Sequence, residues 1–408
     1  MPAPLITTLE IGTTTVKVLM GEVREDGGLM IAGVGESASN GVHKGEIIEF
    51  ESALNAVRRA FEEAESNARR SIGESVYLAA SGGRIESQLH RAEIPILNEF
   101  DEAGGEISSD DIEHVLEVAR KAPLASDRTR MHSLQQDFEV DGRGGIINPE
   151  GMLAPDLKVG MLVIHGRSST IDNLRKLANS VPVTCDDAAF SGFCSALAVL
   201  NPEQKRAGVV VIDLGGGTTD YVVYQGGLVK LAGSFAVGGD HVTADISTGL
   251  GINKQQAEKL KKESGSAMIN SMEGERSYSI PAESGFGGRI VRSATLHTII
   301  NARMEETLQL VADKIEEAGL SGILSAGVVL TGGASALEGT VDLARQIFNT
   351  SAQIGHADCV GLSTKKEGAR FATVIGAVRY AASQIDDDPQ KRLTFREWFT
   401  SLWGGSHD

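Results

Sequence analysis

The chain has 408 residues, 38 Lys and Arg against 55 Asp and Glu, a net charge of -17 and 41% hydrophobic residues. That length suits two domains, or one domain of two similar lobes. The acidic balance excludes general nucleic-acid binding, because no basic patch offsets phosphate repulsion, and no apolar run approaches the ~20 residues of a transmembrane helix. The opening MPAPLITTLE lacks the basic start and long apolar run of a signal peptide, so a cytoplasmic protein is expected. Cys185, Cys194 and Cys359 show no metal-ligand spacing and are expected to be reduced thiols.

Leu9 to Leu19 reads as a strand, a turn and a returning strand: an acid, Glu10, then Gly12, the threonines Thr13, Thr14 and Thr15, and Lys17 on the way back. Lys17 can reach phosphate oxygens as a point charge. Leu29 to Gly35 continues as a third strand. Ala53, Leu54, Val57, Ala60, Phe61 and Ala64 then recur at helical spacing over Ser52 to Ala68, with Ser52 as N-cap. Val76 to Ala80 is a short buried strand, which gives a βββαβ order. Ile85 to about Gly166 holds polar strands, a helix from Ser109 to Lys121 capped by Ser108 or Ser109, and a Gly- and Pro-rich loop from Asp141 to Pro155. Met161 to His165 returns as a strand. Ser168 to Ser180 is a helix, Val181 to Thr184 a short strand, and Phe190 to Leu200 a helix of small residues. His90, His114, His132, His165 and His241 show no ligand pairing, and solvated or core roles are expected.

Val209 to Tyr224 repeats the plan of the first hairpin. Its β-branched run ends on Asp213, which can hold a hydrated Mg²⁺. Gly215, Gly216 and Gly217 let backbone N–H groups approach phosphate, Thr218 and Thr219 add hydroxyls, and Asp220 fixes the turn or orients water. A lone triple-glycine turn reads more simply as a hairpin without ligand; the second copy reverses that preference. Gly238-Gly239-Asp240 precedes a helix whose first N–H groups can face phosphate. Glu258, Lys261 and Lys262 share one helix face, as ligand contacts or as a solvated charged face. Ala326 to Gly333 is a strand ending on Gly332 and Gly333, followed by a helical pattern from Ser335 to Phe348. The glycines leave flat room for a purine and ribose.

These motifs, in this order, resemble the actin, Hsp70 and sugar-kinase ATPase superfamily, with Glu10 to Lys17 as phosphate-1, Asp213 to Asp220 as phosphate-2 and Gly332-Gly333-Ala334 in the adenosine motif. Within it LEIGTTTVKVLMGEV (Leu9 to Val23), SVYLAASGGRI (Ser75 to Ile85), VIDLGGGTTDYVVYQGG (Val211 to Gly227), GGDHVTADI (Gly238 to Ile246) and VVLTGGASALEG (Val328 to Gly339) are similar to the FtsA family of bacterial cell-division proteins.

The resemblance implies an α/β, actin-like two-lobed ATPase fold with duplicated RNase H-like cores and a strand-helix-strand-strand insert. The expected divisions are 1–84 with 166–198 as subdomain 1A, 85–165 as the inserted subdomain 1C for polymer and protein contacts, 199–231 with 303–382 as 2A, and 232–302 as 2B. A linker at 383–392 and a membrane-targeting amphipathic helix at 393–405 follow. ATP and Mg are the expected cofactors, with Asp213 and Glu10 at the metal. In Hsp70-like relatives, the spacing of Glu258, Lys261 and Lys262 contacts the adenosine. Such relatives also place a water-orienting carboxylate or amide near the start of the Phe190 to Leu200 helix. Here Ala189-Phe190-Ser191-Gly192 has none, with Asp186 and Asp187 one turn earlier, so ATP binding with weak or absent hydrolysis is expected.

Both tryptophans lie beyond the breaker Asp386-Asp387-Asp388-Pro389. Phe395, Trp398, Phe399, Leu402 and Trp403 stand at i, i+3, i+4, i+7 and i+8, one apolar stripe. Thr394 and Glu397 have capping-box spacing and Gly404 can end the helix. Such a helix either docks on the body or lies in a membrane interface, and the linker favours the membrane. FtsA proteins carry such a tail. The implied partners are the FtsZ C-terminal peptide on 2B, further copies in a head-to-tail filament, cytoplasmic membrane lipid and later division proteins, with no nucleic acid. The implied location is the cytoplasmic face of the inner membrane at the division site. The alternatives are a PilM-like pilus-assembly ATP-binding protein and a small-molecule kinase of the same superfamily.

Overall fold

The computed structural model describes residues 5–24, 28–82, 84–97, 104–269, 276–282, 287–361 and 365–385. The breaker at 386–389 and the stripe of Phe395, Trp398, Phe399, Leu402 and Trp403 lie outside the described residues, so the tail expectation is not addressed by the fold.

Five strands form the first sheet in the order Thr184–Phe190, Ser75–Ala80, Leu5–Ile11, Thr15–Val23, Leu29–Ala38. Consecutive residues Val18, Leu19 and Met20 are all buried, as in a sheet covered on both faces. One cover is the helix Phe50–Ala68, which approaches so closely that a Cβ on Gly35 would collide with the carbonyl of Ala60. Ser52 is not its N-cap. The Ala53 N–H already bonds the Glu49 carbonyl at 3.2 Å, so the helical ladder is running before Ser52 is reached. The strand expected at Val181 to Thr184 instead spans Thr184–Phe190. Val183 N bonds Val181 O in a tight turn at 2.7 Å, and the chain then pairs in parallel with Ser75–Ala80.

The segment after Ile85 runs strand Glu86–Pro95, helix Ser109–Arg120, strand Arg128–Val140 and strand Asp156–Arg167. Ser108 caps the helix: its hydroxyl accepts from Asp111 N at 3.2 Å, and the Asp111 carboxylate accepts from Ser108 N at 2.9 Å. Ile94, Val115, Leu116, Phe138, Leu157 and Val159 belong to a core of its own. The stretch Asp141 to Pro155 is not all loop, for Arg143–Ile146 folds back on Arg128–Val140. Asp141 and Gly142 both have positive φ, 49° and 72°, the backbone of a tight hairpin turn.

The second sheet is built on the hairpin Val209–Leu214 and Thr219–Gln225, flanked by Leu228–Phe235 on one side and the parallel strands Val328–Thr331 and Ala352–Ile354 on the other. A bridge from Gly233 to Glu86 joins it to the strands of the insert, giving nine strands in one sheet. Helices Gly239–Leu250, Lys254–Ser264 and Ser293–Glu317 lie beyond it, with a ribbon of Ser277–Ile280 and Arg289–Arg292. The expected helix over Ser335 to Phe348 is split into a 3₁₀ turn at Gly333–Ala336 and a helix at Thr340–Phe348. Gly339 between them takes φ 76°, where a Cβ would press on Met268.

Two helices, Ser191–Val199 and Ala372–Ile385, pass between the sheets. They touch at Gly376, where a Cβ would collide with the Cys194 carbonyl. Every residue from Ser191 to Ala198 is buried. This tight crossing fixes how the two hairpins face each other.

Candidate functional site

The turns of the two hairpins meet. A Cβ on Gly216 would strike the Thr14 hydroxyl, and one on Gly217 the Thr13 hydroxyl. Each turn is closed by its own backbone bond, Gly12 N to Thr15 O at 3.1 Å and Gly215 N to Thr218 O at 2.9 Å. Beside them opens a cleft of about 680 Å³ lined by Glu10, Gly12, Thr13, Thr14, Thr15, Lys17, Asp213, Gly215, Gly216, Gly239, Glu258, Lys261, Lys262, Gly332, Gly333 and Ala334. Gly217, Thr218 and Asp220 line a smaller adjoining chamber of about 40 Å³, which also touches Glu10, Gly12 and Asp213.

Lys17 Nζ pairs with Glu10 at 2.9 Å across the first hairpin, so its charge is shared with a carboxylate rather than held free. Asp213 Oδ2 accepts hydrogen bonds from Ser195 Oγ at 2.5 Å and Thr373 Oγ1 at 3.0 Å, one from each crossing helix. Gly332, at φ 82°, leaves room for Asp213 Oδ1, which a Cβ would strike. Burial pushes the Glu10 carboxyl up against the pull of Lys17, and the charge of Asp213 adds to the rise. Burial also pushes Asp213 up, opposed by Ser195 and Lys17. A buried carboxylate, Asp213, and a half-buried one, Glu10, beside hydroxyls and a polar cleft are a donor set that fits Mg²⁺, an ion held through one or two carboxylates with water and phosphate oxygens.

Three of the expected site residues have different duties. Thr219 points away from the cleft, and its buried hydroxyl donates to Val237 O at 2.8 Å. Successive side chains on a strand face opposite sides, so only one of Thr218 and Thr219 can face a ligand. The N–H groups of Gly239 and Asp240 are taken by Gly215 O at 2.9 Å and Gly216 O at 2.8 Å; the helix start braces the glycine turn and does not offer those donors. Lys261 spreads its ammonium over Glu258 at 2.7 Å, Thr243 Oγ1 at 2.8 Å and Gly239 O at 3.0 Å. Burial pushes Glu258 up, but the bonds from Lys261, Thr243 and Lys262 outweigh it and hold the carboxyl at about 2. Lys262 also pairs with Glu258 at 3.0 Å and keeps its side chain 68% exposed, the one of the trio free to turn toward a ligand.

Asp220 is buried and accepts from Ser234 at 2.5 Å and Ser81 at 2.7 Å; burial, then the charge of Asp213, raise its carboxyl to about 8. Asp187 is engaged elsewhere, accepting from Tyr380 Oη at 2.6 Å and Arg175 at 3.4 Å.

Other cleft residues were not legible in the motifs. Arg370 pairs with Glu36 at 2.5 Å, and, among residues the motifs did name, Thr14 donates to Asp240 at 3.4 Å. Both contacts join the two halves of the chain across the cleft. Ser195 and Thr373 had only a weak signal, as hydroxyls in crossing helices that are largely apolar but also carry Ser191, Tyr380 and Ser383.

Among known proteins, the family described as "Cell division protein FtsA" matches residues 210–376, and the "SHS2 domain inserted in FTSA" matches residues 82–165. The cell division protein FtsA of Escherichia coli strain K12 is 32% identical over 401 residues, covering 96% of this chain and 94% of the relative. That of Rhizobium meliloti strain 1021 is 32% identical over 390 residues, covering 92% and 87%. Among solved structures, a PilM-PilN type IV pilus biogenesis complex covers 93% of this chain and 99% of its own, at 16% identity and TM-score 0.63. MreB 5 of Spiroplasma citri bound to AMPPNP covers 95% and 99%, at 15% identity and TM-score 0.56. These likenesses establish the actin-like fold.

Proposed function

The chain belongs to the FtsA family of cell-division proteins, and on that footing we propose that it is an ATP-binding membrane tether for FtsZ filaments. The observation that carries the proposal is the convergence of both glycine-threonine hairpins, the buried Asp213 and the Gly332-Gly333 turn on one cleft. In this account phosphates lie against the hairpins, Asp213 with Glu10 holds Mg²⁺, and the base lies between Gly332–Ala334 and the face of Glu258 and Lys262. Mg²⁺ supplies charge neutralisation for the phosphates. The chain's own part is to fix the geometry: Ser195 and Thr373 orient Asp213, and Arg370 with Glu36 spans the cleft.

The family context adds the rest of the proposal: division at 84/85, 165/166, 198/199, 231/232 and 302/303, head-to-tail self-association, an FtsZ C-terminal peptide on 232–302, and action at the inner membrane of the division site with later division proteins. The stripe from Phe395 to Trp403 supplies the anchor. Each large apolar side chain offers a gross ~1.5 to 3 kcal/mol on burial, and ordering the helix takes several kcal/mol back. One tail is therefore a weak anchor, and a filament of tails a strong one, because later attachments are effectively intramolecular. The 32% identity over 401 residues to a cell-division protein sets aside the pilus and kinase alternatives.

The test is co-sedimentation with vesicles of anionic lipid, using the full chain and a truncation ending at Asp388, with and without Mg-ATP, followed by addition of FtsZ. Only the full chain should pellet, more so with ATP, and it should carry FtsZ down. Equal pelleting of both forms would refute the anchor.

A further inference from the structure

The helix Ser191–Val199 begins beside the phosphate hairpins, and its first residue has a duty nothing above assigns. Ser191 is 3% exposed, its hydroxyl finds no hydrogen-bond partner among the described residues, and it lines the chamber of about 40 Å³ that adjoins the cleft. A water molecule occupies about 30 Å³ of liquid and needs two to four polar partners when buried. The chamber has room for one. It also presents Thr218 Oγ1 and the Asp220 carboxyl group, linked to each other through Ser81 Oγ at 3.0 and 2.7 Å. Gly192 lies against Asp220, where a Cβ would come within 2.9 Å of the Asp220 Cβ, so the helix start and the second hairpin cannot shift independently.

The N–H of Phe190, immediately before Ser191, is held from outside the helix. The Phe190 side chain caps nothing, and its N–H donates instead to His132 Nε2 at 2.8 Å. His132 stands on the Arg128–Val140 strand of the insert and is itself clamped between the rings of Phe193, 4.9 Å away, and Tyr380, 5.3 Å away in edge contact. Since Nε2 accepts, the ring proton is assigned to Nδ1. Burial pushes the imidazole down to about 4, which keeps it an acceptor at neutral pH.

The geometry points to Ser191 as the group that holds a nucleophilic water against the terminal phosphate of a bound nucleoside triphosphate, with His132 as the positioning residue through which the insert sets the placement of Ser191. This rests on the proposal that the cleft binds ATP. In the step, the water oxygen bonds to the γ-phosphorus as the bond from that phosphorus to the β–γ bridging oxygen breaks. ADP departs with the electron pair, one water proton stays on the released hydrogen phosphate and the other passes to solvent. A lone serine hydroxyl is a weaker organiser than a carboxylate or amide, so slow turnover is the expected outcome. It also makes turnover sensitive to the insert, because a shift of the Arg128–Val140 strand moves Phe190 and with it Ser191.

The test uses the full chain and two separate readouts, equilibrium binding of Mg-ATP and single-turnover hydrolysis. Ser191→Ala should bind Mg-ATP within about twofold of the parent and hydrolyse it about tenfold more slowly, the loss of one transition-state hydrogen bond. His132→Leu, which leaves the Phe190 N–H without its acceptor, should slow hydrolysis about three- to tenfold without weakening binding. His132→Gln, whose amide oxygen can accept that N–H, should recover at least half of the lost rate. A parent rate in Ser191→Ala, an equal loss in binding and rate, or a parent that binds ATP without hydrolysing it above the buffer rate overturns the proposal and leaves the ATP site standing. A parent that fails to bind ATP removes both. Ser191→Ala deletes a single oxygen, so the central comparison stands even where His132→Leu does not fold.

Discussion

The contact between the two hairpins is where a single methyl group has the largest readable effect. In Gly216→Ala the new Cβ would collide with the Thr14 hydroxyl, and Thr14 Cβ lies at 3.0 Å and Thr14 N at 3.6 Å behind it. Either Thr14 turns aside, losing its bond to Asp240, or the hairpins part. Overpacking of this kind costs ~1 to 3 kcal/mol. Because the empty protein can let the hairpins part, while gripping phosphate requires them close together, most of that cost should fall on nucleotide affinity. At about 1.4 kcal/mol per factor of ten, Mg-ATP binding should weaken roughly 5- to 150-fold. Thr14→Ala removes the obstructing oxygen, at the loss of one hydroxyl donor worth ~0.5 to 1.5 kcal/mol. In the double variant the hydroxyl clash is gone and only the tight contact with the residue 14 Cβ at 3.0 Å remains, relieved by a shift of a few tenths of an ångström, so its affinity should lie close to that of Thr14→Ala alone. Calorimetric titration of the four proteins with Mg-ATP measures the cycle. Parent affinity in Gly216→Ala, or single effects that simply add in the double variant, would refute the argument that the hairpins meet through this pair.

Three further outcomes follow from the same geometry. Gly376→Ala places a methyl against the Cys194 carbonyl, a backbone atom that cannot swing away, so thermal unfolding should report a loss at the upper end of ~1 to 3 kcal/mol; an unchanged midpoint would contradict the close crossing. Asp220, raised to about 8 by burial, keeps its proton in the fold where the unfolded chain ionises near pH 4. Its contribution is complete below the unfolded value and is lost as pH rises through about 8. The stability advantage of the parent over Asp220→Asn should therefore shrink between pH 5 and 8.5 in urea unfolding, and parallel curves would contradict the assignment. Glu36→Gln weakens the charge pair with Arg370; because Arg370 is partly exposed, stability should change by less than ~1 kcal/mol, while the rate of nucleotide release should rise, and an unchanged release rate would show that the pair does not hold the cleft.

The hairpins could be read from the sequence because their chemistry is local. Acid, glycine and threonine follow one another within a few residues, and the β-branched runs beside them fix the strands. The cleft's supports could not, because they act across long separations: Ser195 and Thr373 reach Asp213 from helices 18 and 160 residues away in sequence, and Glu36 meets Arg370 across 334. Thr219 is a different case, since strand alternation alone tells it from Thr218 once the start of the returning strand is placed. The helix start at Gly239 looked like an anion site for the reason most helix starts do, and only the fold reveals that Gly215 and Gly216 carbonyls occupy those donors. The break at Gly339 and the turn at Asp141-Gly142 were written in residue types that tolerate positive φ, signals weaker than the apolar periodicity around them.

Equilibrium binding of ATP to the full chain and to Asp213→Asn, each with Mg²⁺ and with the metal chelated, tests the central claim most directly. Binding by the parent should depend on Mg²⁺ and fall at least tenfold in Asp213→Asn, with the two proteins alike once the metal is removed. Parent binding that ignores Mg²⁺, or an Asp213→Asn that binds Mg-ATP as the parent does, would contradict it.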